Sequence, residues 1–284
     1  MPEDLKDFKM DDKDLPSMPI VAAKVMEILG NPDTTSQELN RIISADPAIT
    51  AKILKICNSS FFSLSRKITS LTEAITYLGF NAIKSVVIVS STKGVFKKSG
   101  LTERALWEHS VCCAISSNIL AKDKRFGNFE EYFIGGLLHD IGKFILDNKY
   151  PDDYQKIMKI IYNDPETVSV DVEIHLLNGL NHSVMGGLVI QKWKLSKLLN
   201  EAVEYHHIIE NGQKVELEND TYSNVISFAN LVCRKLGVGR GKPLENLDLS
   251  QTPPAKFLGL GADYIEDYIS NVFESFEAEK SLFE

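Results

Sequence analysis

ISADPAITAKILKICNSSFF, residues Ile43–Phe62, decides the fold class. Asp46–Pro47 reads as a helix start. The aspartate can accept from first-turn amides, and the proline's missing N–H is no loss at the first helical position. Ile49, Ile53 and Ile56 then recur at helical spacing and make one apolar face. The same pattern extends outward in both directions. Upstream, Val21–Leu29 carries an apolar stripe entered through Pro16 and Pro19 and stopped by Gly30–Asn31–Pro32. Thr35 and Glu38 have capping-box spacing and open a helix over Leu39–Ser44. Downstream, Ser70 and Glu73 repeat the box before Ala74–Leu78, Gly79 is a stop, and Asn81 caps Ala82–Ser90. FKKSG (Phe96–Gly100) reads as a connection. Further helices are expected over Arg104–Lys122, Glu131–Leu146, Asp152–Asn163, Asp171–Leu180, Ser183–Trp193, Ser196–His207, Tyr222–Leu236 and Asp263–Phe276. Glu210–Asp220 and Gly237–Pro254 read as loops. Thr167–Val170 alone is mildly strand-like, and no repeat of 20–50 residues is visible. The expectation is an all-α chain in two parts, residues 1–100 and 101–284.

Composition narrows the class. The chain has 284 residues, 44% apolar and 25% charged. That is ordinary globular usage and excludes wholesale disorder, a fibrous repeat and a disulfide-stapled miniprotein. A net charge of −8 argues against a surface that grips nucleic acid. Thr35–Ser59 superficially suits a helix-turn-helix, with Lys52 and Lys55 on its second helix, but the spaced isoleucines of that helix belong to a core. No nucleic-acid partner is expected. No apolar run approaches the ~18–20 residues needed to span a bilayer, and Met1–Asp14 lacks the apolar centre of a signal peptide. The expectation is a cytoplasmic protein with no membrane partner. Cys57, Cys112, Cys113 and Cys233 show no CxxC spacing and sit in apolar segments, as buried free thiols do. Trp107 and Trp193 read as core anchors. Tyr264, Tyr268, Val272 and Phe276, spaced by four, read as the docking face of an amphipathic helix.

The chemistry is concentrated in six histidines, all in the second part: His109, His139, His175, His182, His206 and His207. His139 and Asp140, within GLLHDIGK (Gly136–Lys143), offer an imidazole nitrogen and a carboxylate oxygen to one metal. Such mixed ligation suits Fe, Mn, Zn, Ni or Co. His109, mid-helix in LWEHS, can approach the same point, and His182, His206 and His207 can complete a second, adjacent position. Adjacent residues on a helix point ~100° apart, so one of His206 and His207 is expected to face inward. His175 has no supporting neighbour and is assigned to structure. Lys143 lies four residues after His139. It reads either as an ammonium facing a metal-held phosphate or as an exposed lysine in a last helical turn. Gly135, Gly136 and Gly142 cost helix stability and point to close helix packing around the site.

The chain resembles the HDOD family, the output-domain branch of the HD metal-dependent phosphohydrolase superfamily, over roughly residues 15–235. The resemblance rests on LPSMPIVAAKVMEIL (Leu15–Leu29), the Ile43–Phe62 stretch and ITSLTEAITYLGFNAIKSVVI (Ile68–Ile88). It continues through LWEHS, GLLHDIGK, NHSVMGGLVIQKWKL (Asn181–Leu195) and EYHH (Glu204–His207). It implies an N-terminal helical bundle packed on an HD-like bundle. It further implies a divalent metal on His109, His139, Asp140 and a late aspartate, with His182, His206 and His207 as the additional ligands of dinuclear members. This chain departs at the late position, where VISFANLVC (Val225–Cys233) carries Asn230, an amide oxygen without a charge. The GYP element of the related cyclic di-GMP hydrolases is also absent, since Ile208–Gly212 follows the paired histidines. The resemblance therefore implies a bacterial signal-transduction module that binds a signalling protein or a small phosphate-containing ligand. The alternative is a metal-dependent phosphohydrolase acting on a nucleotide or other phosphate ester, in which Lys143 and Asp140 are catalytic.

Overall fold

Caps legible in the sequence set the first helix boundaries. In the computed structural model, which describes residues 15–58, 66–92 and 101–283, α1 spans Ile20–Leu29 and α2 spans Ser36–Ser44. The Thr35 hydroxyl accepts from the Glu38 amide, and the Glu38 carboxylate accepts from the Thr35 amide at 2.9 Å, so both halves of the box form. Asp46 accepts from the Ala48 and Ile49 amides and opens α3, Pro47–Cys57. Each such cap stabilises its helix by about 1 kcal/mol. α4, Leu71–Thr92, is broken at Gly79, whose φ of 77° and ψ of 175° are non-helical, at the predicted stop. The expectations for Met1–Asp14 and for the Phe96–Gly100 connection lie outside the described residues.

The described residues form two compact units, one from 18–92 and 274–283 and one from 15–17 and 101–273. In the first, α3, α1 and α2 each pack on α4. The predicted apolar positions Ile53 and Ile56 are buried with Val25, Leu39 and Ile43. Each such side chain contributes about 1.5–3 kcal/mol by leaving water.

The second unit holds α5 (Leu101–Asp123), α6 (Phe129–Leu138), α7 (Ile141–Lys149), α8 (Pro151–Asn163), α9 (Ser169–Leu176), α10 (His182–Lys192), α11 (Lys197–Glu210), α12 (Asp220–Leu236) and α13 (Pro253–Leu258). It also holds α14 (Ala262–Phe283) as far as Phe273. α5 packs on α6 and α12, α10 on α7 and α11, and α11 on α12. The middle of α5, Val111–Leu120, is buried almost all round, as a central helix must be. Tyr268 of α14 donates to the Ser116 carbonyl at 2.6 Å, so the four-residue stripe of that helix does dock, with Tyr268 and Val272 buried. Trp107 and Trp193 are buried. The four cysteines are buried free thiols.

Three expectations are corrected. Glu131–Leu146 is two helices, because the chain turns at His139–Asp140, where Asp140 takes φ −102° and ψ 14°. The strand-like Thr167–Val170 runs into α9 at Ser169, and among the described residues there is no strand. The Gly237–Pro254 loop contains a short 3-10 turn, and its last two residues, Pro253 and Pro254, already belong to α13.

Candidate metal centre

The break between α6 and α7 is what builds the site. On one continuous helix His139 and Asp140 would diverge by ~100°; at the turn both meet one centre, His139 Nε2 lying 3.3 Å from Asp140 Oδ2. The glycines make the approach possible. A Cβ on Gly142 would meet the His182 carbonyl and stand 2.7 Å from the Gly186 amide, and one on Gly136 would stand 2.5 Å from the Cys113 carbonyl. α7 thereby touches α10, and α6 touches α5. His109 comes from α5, His182 from the start of α10, His206 and His207 from α11, and Asn230 from α12.

Asp140 sits among them with one oxygen for each of two groups. Its Oδ2 is 3.4 Å from His109 Nε2 and 2.6 Å from the Lys143 ammonium. Its Oδ1 is 3.2 Å from His182 Nε2 and 3.8 Å from His206 Nε2. The sets His109–His139–Asp140 and His182–His206–His207 each bring their candidate ligand atoms within 4.8 Å of one another. Both His206 and His207 face inward. His207 Nε2 is 3.1 Å and His206 Nε2 3.4 Å from His182 Nε2, so the expectation that one of the pair turns away is wrong. Convergence on His182 from across the cluster offsets their angular separation. His175 is exposed and takes no part. Lys143 is buried in the first turn of α7, which rules out an exposed last-turn lysine.

Every Nδ1 in the cluster is tied outward. His109 Nδ1 donates to Val238 O at 3.1 Å, His139 to Gly136 O at 2.7 Å and His206 to Val203 O at 2.8 Å. His182 donates to Glu173 Oε2 at 2.6 Å and His207 to Glu210 Oε2 at 2.9 Å. A carbonyl or an ionised carboxylate can only accept, so these bonds fix the Nδ1–H tautomer and leave Nε2 as a lone pair when the ring is neutral. Five Nε2 atoms then crowd around one another and a carboxylate, and wherever the rings are neutral their lone pairs repel unless a cation or a proton lies between them. His139 Nε2 and Asp140 Oδ1 have no hydrogen-bond partner although both are buried. The donor set of imidazole nitrogen, carboxylate and amide oxygen fits Fe, Mn, Zn, Ni or Co. The residues present therefore fit a divalent metal.

Charge is arranged to match. Burial holds His109 down to about 3. Burial, then the neighbouring imidazoles, hold His206 well below its ordinary value, and burial also lowers His182. Burial acts against ionisation of Asp140 too, but His139, Lys143 and His182 outweigh it and keep the carboxylate charged. His139 is raised despite its burial, because Asp140 and Cys113 face it.

The outer partners were not legible. Glu173 takes the His182 ring and its amide and also accepts from the Tyr154 hydroxyl at 2.8 Å. Glu210 takes His207 with one oxygen and the Asn230 amide nitrogen, at 2.8 Å, with the other. The signal that could have found Glu210 is its spacing, three residues after His207. Glu173 gave only an acid inside a helix. Asn230 Oδ1 lies 2.8 Å from His109 Nε2.

The HDOD domain family matches residues 15–209. Among solved structures the chain is similar to an HDOD domain protein of Geobacter sulfurreducens, with 24% identity and a TM-score of 0.78 over 94% of this chain and 93% of that one. It is similar to a proposed signal transduction protein of Marinobacter aquaeolei VT8, with 18% identity and a TM-score of 0.75 over 97% and 62%. A proposed metal-dependent phosphohydrolase of Shewanella amazonensis SB2B gives 20% identity and a TM-score of 0.69 over 95% and 92%. These likenesses establish the all-α fold. The chain spans less than half the length of the curated relatives it matches, 43% of one and 21% of another.

Proposed function

The chain belongs to the HDOD family, and from that premise we propose that it is a signal-transduction module built around a retained metal centre, binding a signalling protein or a small ligand rather than turning over a substrate. The observation that carries the reading is the inward turn of five Nε2 atoms, four on Asp140 and that of His207 on His182, each with its Nδ1 anchored outside. In this reading His109, His139, Asp140 and Asn230 hold one metal, and His182, His206 and His207 a second. Asn230 is what favours regulation over catalysis. Its amide supplies an oxygen but no charge and cannot act as a base. No membrane or nucleic-acid partner is assigned; no helix among the described residues is long and apolar enough to cross a membrane.

A second reading, phosphate-ester hydrolysis, is favoured by Lys143. Its buried ammonium on Asp140 is placed to steady a phosphate's charge. A bound divalent metal supplies Lewis acidity for such chemistry and lowers the pKa of water toward neutrality.

The test is metal content per chain by mass spectrometry, in protein purified without chelator or His-tag. Near-stoichiometric metal, lost in His139→Ala/Asp140→Ala, with no release of phosphate from p-nitrophenyl phosphate or a nucleotide panel, supports the regulatory module. Metal with turnover supports the hydrolase. No metal after incubation with excess Mn²⁺, Fe²⁺, Zn²⁺, Ni²⁺ or Co²⁺ overturns the metal centre.

A further inference from the structure

Lys143 breaks two local preferences at once. It lies in the first turn of α7, where the helix dipole disfavours a cation. It is also buried, at 7% exposure, where an ammonium is costly unless an anion pairs it. Asp140, three residues earlier at the turn before α7, offsets both. The Lys143 ammonium donates to Asp140 Oδ2 at 2.6 Å, a short, charge-assisted bond. The lysine's own amide donates to the Asp140 carbonyl at 2.9 Å, so backbone and side chain hold the pair together.

Oδ2 is also the oxygen that faces the first metal position. His109 Nε2 and His139 Nε2 stand 3.4 Å and 3.3 Å from it, and these three residues form one of the two candidate ligand sets. The imidazoles stand back while the ammonium makes the close contact. Oδ1, which faces His182 and His206 of the second set, has no hydrogen-bond partner. The lysine's charge is therefore placed on the first position and not on the second. A buried carboxylate left without a counter-charge is strongly destabilising, and two cations on one oxygen repel each other. The same ammonium thus stabilises the empty position and opposes the filled one.

We propose that Lys143 is the resident cation of the first metal position: it neutralises Asp140 when that position is empty and competes with a metal for Oδ2. The inference rests on the metal-centre reading above and names how the occupancy of that centre is regulated. The chain then keeps its fold when the position empties, and the metal it takes there is exchangeable rather than structural.

The experiment is titration of the chelator-stripped full chain with Mn²⁺, alongside urea unfolding in chelator. Lys143→Met is expected to bind Mn²⁺ at least tenfold more tightly than the native chain and to unfold, without metal, at lower urea concentration. Lys143→Gln, which keeps a hydrogen-bond donor but no charge, is expected to move both readouts the same way. Lys156→Gln, at an exposed position of α8, is expected to leave Mn²⁺ affinity within twofold. Where a Lys143 variant is unfolded without metal, Mn²⁺ is expected to refold it, as read by circular dichroism. Metal-free stability of both Lys143 variants at or above native, or a variant that Mn²⁺ does not refold, overturns the proposal. A native chain that binds Mn²⁺, with equal or weaker binding by the Lys143 variants, overturns this inference alone. No binding by the native chain or by either variant overturns the metal centre and this inference with it.

Discussion

Asn230 serves two neighbours at once. Its nitrogen donates to Glu210 and its oxygen faces the His109 lone pair, so the amide's orientation is set by Glu210. An aspartate there would put a second carboxylate where Glu210 now finds a donor. Like charges at hydrogen-bond distance cannot both ionise without cost. Asn230→Asp is therefore expected to destabilise the metal-free chain by about 1–3 kcal/mol. Asn230→Asp/Glu210→Gln, which restores a donor–acceptor pair, is expected to recover most of it. Urea unfolding at pH 7.5 with chelator reads both, and an Asn230→Asp variant as stable as the native chain would show that Glu210 does not govern this position. A parallel argument applies to Glu173, which is fully buried and holds His182 by ring and amide. Glu173→Gln keeps the shape but removes the charge that orients the ring. It is expected to weaken Mn²⁺ binding by about 10–100-fold, measured by titration, with the circular dichroism spectrum unchanged; native-like affinity would contradict that role.

At the scale of the element, the site depends on helices approaching to backbone contact. Gly142 is the sharpest case. A methyl group there has nowhere to go between the His182 carbonyl and the Gly186 amide, both backbone. Gly142→Ala is expected to destabilise by about 3 kcal/mol or more through forced separation of α7 from α10. Gly187→Ala, whose Cβ would stand 3.4 Å or more from side chains of Glu204 and Asn200, is expected to be tolerated. Thermal unfolding of the two variants side by side checks the contrast. The same elements show what sequence could and could not reveal. Caps at Thr35, Asp46 and Ser70 and the stop at Gly79 were readable because each is a local bond between near neighbours. The break at His139–Asp140 was not, because no proline or left-handed glycine marks it, and the apolar pattern of Phe133, Leu137, Ile141 and Phe144 runs through it at helical spacing. The histidine ligand candidates were legible as residue types. Their common tautomer was legible only in part: the Nδ1 partners of His139, His206 and His207 lie three residues away, whereas those of His109 and His182, the Val238 carbonyl and Glu173, are brought in by packing.

For the molecule as a whole, burying neutral imidazoles ties stability to pH. His109, His182 and His206 have folded pKa values below the ~6.5 of an unfolded histidine, each first because of burial. Below pH ~6.5 the unfolded chain takes up protons that the folded chain refuses. The unfolded state then binds more protons, so stability rises with pH through this window and falls as pH is lowered, by up to about 1.4 kcal/mol per pH unit for each histidine. His139 does not cancel this. It is raised while Cys113, buried but hydrogen-bonded to Cys233 and facing His139, is lowered to about 6. These opposite shifts offset each other in the proton balance between folded and unfolded chains, so the pair adds little to the pH dependence. The depressed carboxylates of Asp140, Glu173 and Glu210 are charged throughout this window and lose their contribution only at lower pH, as they take up protons. The chelator-treated full chain is therefore expected to unfold at distinctly lower urea concentration at pH 5.5 than at pH 7.5, with His206→Gln showing a shallower dependence. Divalent metal must compete with the same protons for Nε2, so Mn²⁺ is expected to raise the unfolding midpoint more at pH 7.5 than at pH 5.5. A midpoint that stays level between the two pH values would mean that these imidazoles accept protons in the folded chain, and that the Nε2 lone pairs are not held free for a cation.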